Sequence, residues 1–132
     1  MAKNEGGIPT QIALSEQRKK KRPMTAQTPY DVETSNRYRI PVSAGFSLGA
    51  TVTRPLAVGA FPALVWYDPY RSGADGLTTP MADYFGRRGY AFVYLNVRGS
   101  GNSAGVNRDE YQAEETQDGC DAIAWLAEQP WC

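Results

Sequence analysis

Two short apolar runs, Ala63-Leu64-Val65-Trp66-Tyr67 and Tyr90-Ala91-Phe92-Val93-Tyr94-Leu95-Asn96-Val97, flank a helix signature, and this limits the fold more than any other feature of the chain. A continuous apolar run of this length predicts a strand covered on both faces, as in parallel sheets. Between the runs, Thr79-Pro80 offers an N-cap followed by proline at the first helical position. Met81, Tyr84, Phe85 and Arg88 share a face of that helix, and Gly89 is placed to stop it. Two strands joined by a helix form a right-handed parallel βαβ unit in nearly all known cases.

The flanking segments extend this unit. Arg37 to Val42 and Phe46 to Val52 alternate polar and apolar residues around Ser43-Ala44-Gly45, which predicts a β-hairpin. Pro41 cannot donate to a ladder and pushes the first strand toward an edge. From about Tyr111 to Glu128, Ala113, Cys120, Ile123, Ala124 and Ala127 recur at helical spacing before Pro130. Hairpin, strand, helix, strand, helix is the order of an α/β fold with a mixed, mainly parallel sheet. The last helix calls for a further strand to return to. Trp66, Trp125 and Trp131 are expected in the core.

Residues 1–35 are polar and rich in glycine and proline with no sustained period, which predicts a disordered or loosely packed tail and an ordered unit over residues 36–132. Its basic run, Arg18 to Arg22, is read as a solvated patch. Across the chain 14 basic residues balance 14 acidic ones, so no nucleic-acid partner is expected. No apolar stretch approaches the ~18 residues of a membrane span, and the first residues do not lead into a signal peptide. The expected setting is the cytoplasm.

Cys120 and Cys132 stand too far apart on a helix (over ~10 Å at ~1.5 Å per residue) for the ~7 Å Cα limit of a disulfide. Both are expected to be free thiols. Two cysteines without any histidine make a poor zinc site, so neither metal nor cofactor is expected.

Gly101-Asn102-Ser103-Ala104-Gly105 spells the serine-hydrolase pattern G-x-S-x-G, while the sequence contains no histidine to act as the base of a Ser-His-Asp triad. The nucleophile elbow also requires a helix directly after the serine, and Val106 to Asp109 continues the loop. Gly99 to Ala104 fits the dinucleotide pattern G-x-G-x-x-[GA] as well. The acid that should follow ~20 residues later falls on Asp118 or Asp121, inside the expected helix and not at a strand end. The reading preferred over both is a flexible connection between strand and helix that helps rim a site. Arg98, at the root of this loop, is expected to bond loop carbonyls or to pair with an acid on the next helix such as Asp118, ahead of binding a carboxylate substrate.

Four stretches together resemble the front of an α/β-hydrolase domain of the X-Pro dipeptidyl-peptidase and cocaine-esterase (CocE/NonD) family. They are Arg39 to Leu48, Asp68-Pro69-Tyr70-Arg71, Gly89 to Gly105, and Asp118 to Leu126 with Gln129-Pro130-Trp131-Cys132. The chain departs from the family pattern at Ala44 and Asn96, where the family carries aspartate. The resemblance implies an incomplete, N-terminal portion of the fold, with serine, aspartate and histidine beyond Cys132, and a chain inactive alone. It implies a serine hydrolase that cleaves acyl esters or peptide amides, small-molecule substrates, through an acyl-enzyme. It also implies that the hydroxyl of Tyr70 is an oxyanion-hole donor, a type of group whose loss costs ~10²–10³ in rate. The alternative is a non-catalytic α/β module that binds a nucleotide or a protein partner.

Overall fold

The computed structural model describes residues 29–70 and 79–132. Four strands, β1 (Val32–Pro41), β2 (Ser47–Pro55), β3 (Ala63–Asp68) and β4 (Ala91–Asn96), form one sheet in the order β1-β2-β4-β3. Two helices, α1 (Pro80–Gly86) and α2 (Ala113–Ala127), follow β3 and β4. β1 and β2 are the antiparallel hairpin, closed at Gly45 in a left-handed conformation (φ 87°). β2 pairs antiparallel with β4, and β3 runs parallel to β4 with Ala63 opposite Ala91 and Asp68 opposite Asn96. Pro41 does lie on an edge strand of the described sheet.

The hairpin starts earlier than the sequence suggested. β1 begins at Val32, so the boundary at residues 35/36 falls inside a strand. A register shift between Ser35 and Tyr38 places an extra residue in β1 opposite β2, a β-bulge that breaks the alternation on which the sequence reading relied. The side-chain bond between Thr34 and Thr53 ties this first stretch to β2. The expected tail over residues 1–28 lies outside the described residues.

Alternation divides the core between the two sheet faces. On one face, Ile40, Leu48, Ala50, Val52, Ala91, Val93 and Leu95 are buried together with Ala122, Leu126 and Trp131 from α2 and its C-terminal turn. On the other, Phe92 stacks on Phe85 of α1 with ring centroids 6.1 Å apart. Gly86 lets α1 come close, since a Cβ there would stand 2.8 Å from Val32 Cγ1. Thr79 caps α1 by accepting from Ala82 N–H at 3.1 Å, and Gly89 (φ 87°) turns the chain out of it, both as expected.

One expectation about burial is overturned, and the helices turn inward faces that the sequence reading had not named. β4 is buried throughout, but β3 is an edge strand among the described residues, with Val65 37% and Trp66 44% exposed. Trp66 is therefore not a core residue, and the open parallel edge of the described sheet is β3. In α1 the inward residues are Ala82 and Gly86, while Met81 and Tyr84 face outward and Arg88 lies over the Tyr84 ring at 3.6 Å. In α2 the inward face carries Asp118, Ala122 and Leu126, and Cys120, Ile123, Ala124 and Ala127 look outward.

Candidate active site

The C-terminal ends of β3 and β4 lie side by side, and the segments leaving them carry every residue singled out for chemistry. Val97 N–H donates to Asp68 C=O at 3.1 Å and locks the two strand ends together. Beneath this junction Tyr94 O–H donates to the carboxylate of Asp68, with both side chains buried. This buried pair fixes the strand residue from which Pro69 and Tyr70 depart.

Tyr70 stands 71% exposed at the mouth of a cavity of about 540 Å³ between the end of β3 and α2. Its hydroxyl donates to Glu110 Oε1 at 3.3 Å. The negative charge of Glu110, then the hydrogen bond to it, raises the Tyr70 phenol above its ordinary value, so the proton stays on the oxygen at neutral pH. Deeper in the same cavity Tyr67 O–H donates to the backbone carbonyl of Glu115 at 3.1 Å. Burial first, then the charges of Asp118 and Glu115, push Tyr67 up to about 12. Sequence reasoning missed Tyr67 and Glu110. Alternation along β3 places Tyr67 on the face of α2, but nothing in the sequence links Glu110 to Tyr70 across 40 positions.

The glycine-rich loop has a different character. Ser103 Oγ donates to Asn96 C=O at 2.7 Å and accepts from Gly49 N–H at 2.8 Å, so both its bonding roles are structural. No helix opens after it, since α2 starts at Ala113. The N–H groups of Gly99, Ser100, Ser103 and Ala104 all donate to backbone carbonyls, which leaves them unavailable to cradle a phosphate. The expected flexible connection is instead a packed cap on the sheet. A Cβ on Gly101 would stand 2.5 Å from Asn96 Cγ, and one on Gly49 would stand 1.8 Å from Asn102 Oδ1. Asn96, where the resemblance expected aspartate, donates from Nδ2 to Asn102 Oδ1 at 2.8 Å, and its own Oδ1 has no partner among the described residues.

Arg98 pairs with Asp118 as expected. Nε and Nη2 reach Oδ2 and Oδ1 at 2.7 and 2.8 Å, a bidentate pair with Asp118 almost fully enclosed. The bond to Asp118 holds the guanidinium above its ordinary value. Phe46 packs under its cation at 5.2 Å. This pair is what lets α2 turn an acid inward. Cys120 and Cys132 are free. Among the described residues no three His, Cys, Asp or Glu side chains converge as a metal set would, and no helix is long and apolar enough to cross a membrane.

Comparison with known proteins places this arrangement. The model of the X-Pro dipeptidyl-peptidase family (S15) matches residues 44–132. Over 44 residues the chain is 46% identical to a candidate serine esterase of Mycobacterium bovis, a stretch equal to 33% of this chain and 7% of that protein. Among solved structures it resembles a CocE/NonD family hydrolase from Staphylococcus aureus, with a TM-score of 0.65, 23% identity, and coverage of 74% of this chain and 21% of that one. It also resembles an aminopeptidase from a marine sediment archaeon, Thaumarchaeota archaeon, with a TM-score of 0.55, 21% identity, and coverage of 96% and 22%. At these identities the likeness concerns the fold, which is that of α/β hydrolases. The chain spans about a fifth of the length of these solved relatives.

Proposed function

The chain belongs to the X-Pro dipeptidyl-peptidase (S15) family of hydrolases, and from that footing we propose that it carries the oxyanion side of a serine-hydrolase site acting on acyl esters or peptide amides. Tyr70 is the donor in this reading. The observation that carries it is the position of its hydroxyl, exposed beside a cavity at the C-terminal end of a parallel strand, where ligands of open α/β sheets are bound. The raised phenol keeps its proton and can give it as a hydrogen bond to alkoxide charge as that charge develops.

The nucleophile is not Ser103. Its hydroxyl is spent on Gly49 and Asn96, and the 132 residues contain no histidine to activate it. Residues 1–132 by themselves are therefore proposed to have no serine-dependent turnover. A cytoplasmic setting goes with this reading, since both cysteines are free thiols.

The test is a graft of this chain in place of the matching fifth of the staphylococcal hydrolase, assayed with p-nitrophenyl acetate. Tyr70→Phe is expected to lower kcat by about 100-fold or more with little change in KM, and Ser103→Ala is expected to leave kcat within a few-fold. A Tyr70→Phe graft that turns over at the parent rate would overturn the oxyanion role.

A further inference from the structure

The proton that Tyr70 would give to a substrate is already engaged. A phenol has one hydrogen to donate, and here it points at Glu110 Oε1. An ionised carboxylate is a strong acceptor, and one placed beside a developing oxyanion also repels it. Donation to Glu110 and donation to a substrate are thus competing states of the same hydroxyl.

We propose that Glu110 is a positioning residue that latches the Tyr70 hydroxyl, holding it when ionised and releasing it when protonated or drawn away. The functional consequence rests on the oxyanion reading of Tyr70; the latch itself does not. Its surroundings favour a hold that can be released. At 3.3 Å the contact is longer than the ~2.7–2.8 Å typical of O–H···O bonds, so little has to be broken. Among the described residues Glu110 forms no ion pair and no lysine or arginine lines the cavity, so none of their cations competes with Tyr70 for it. The other titratable groups facing the pair among the described residues are acids or phenols. Asp68 lies at the root of the turn, Tyr111 and Glu115 line the same cavity, and Asp109 Oδ1 accepts the N–H of Glu110 at 2.8 Å. This acidic setting disfavours a second anion near Tyr70 while Glu110 is charged.

The experiment uses the full chain with ¹³Cζ-labelled tyrosine, the Tyr70 resonance being identified by its loss in Tyr70→Phe. On acidification, as carboxylates take up protons, this resonance is expected to shift. Glu110→Gln should remove that step and move the alkaline ionisation of Tyr70 to lower pH. Glu110→Asp keeps the charge but shortens the reach, and should shrink the acid step while preserving most of the alkaline effect. An acid step of undiminished size in Glu110→Gln would overturn the latch and assign the response to Asp68 or Glu115. In the graft, Glu110→Gln should raise kcat a few-fold at neutral pH and change nothing when Tyr70 is already phenylalanine. Failure of the oxyanion reading would appear as an inert Tyr70→Phe substitution in turnover, with the titration unaffected, so the two failures are separable.

Discussion

The segments that leave β3 and β4 lie side by side and have opposite natures. The loop after β4 carries the letters of one catalytic and one dinucleotide-binding motif, yet Ser103 and the N–H groups of Gly99, Ser100, Ser103 and Ala104 are spent on bonds that hold the loop against the sheet end. The segment after β3 carries only the stretch Asp68-Pro69-Tyr70-Arg71, and its last described residue before 79, Tyr70, presents an exposed hydroxyl beside a cavity. A chemical role needs a polar group that faces space where a substrate fits. By that measure the motif-rich segment supports the sheet end, and the motif-poor one is where we propose the site.

The largest effect expected from breaking this contrast is at Arg98. Arg98→Ala leaves Asp118 buried without its partner at the root of the loop, and should cost about 3–5 kcal/mol in urea denaturation. Such a loss also measures how firmly α2 holds its unusual inward face. A cost under about 1 kcal/mol would mean that Asp118 finds water, and that the loop is less tightly bound than its geometry says.

Ser103→Ala should cost about 1–3 kcal/mol, because Gly49 N–H loses its acceptor and Asn96 C=O loses its donor in a partly buried place. No ester hydrolysis should be lost with it. Tyr70→Phe reverses the pattern, with an unchanged denaturation midpoint and a large loss of turnover in the graft. If Ser103→Ala abolished hydrolysis without destabilising the chain, the assignment of the two segments would be the wrong way round.

The smallest effect concerns acid stability. Asp121 accepts from Ser43 N–H at 2.7 Å and from Gln117, and these bonds, the backbone one first, lower its carboxyl below the ordinary value. A lowered folded pKa means stability that is present above the unfolded value of ~3.9 and is lost as pH falls through the folded one. Asp121→Asn should therefore flatten the decline of the thermal midpoint below about pH 4 and leave neutral pH nearly unchanged. A decline as steep as in the parent would show that the clasp between the hairpin turn and α2 adds nothing.

Much of the architecture was legible because it rests on local chemistry. Thr79-Pro80 starts α1 and Gly89 ends it, Gly45 closes the hairpin, and the run from Ala91 to Asn96 has the composition of a fully covered strand. Where the reading failed, side chains were assigned a burial from their own polarity. Trp66 was placed inside because tryptophan is apolar, yet its strand ends the described sheet. The pairing of Arg98 with Asp118 was legible, but the depth at which that pair buries Asp118 was not. Of the site, Tyr70 was marked only through a family likeness. Glu110 had no mark at all, since its relation to Tyr70 exists only once two loops have folded to the same rim.

The sequence alone determined the order of elements, their approximate ends, the parallel βαβ unit and the lack of any histidine base within these residues. Those properties follow from backbone preferences and from composition, which act over a few residues or over none. Tertiary structure decided which strand is the edge of the described sheet, which face each helix turns inward, what Ser103 bonds, and which acid accepts the Tyr70 proton. These are matters of which groups meet, and a buried charge or a spent hydroxyl is defined by a partner tens of residues away.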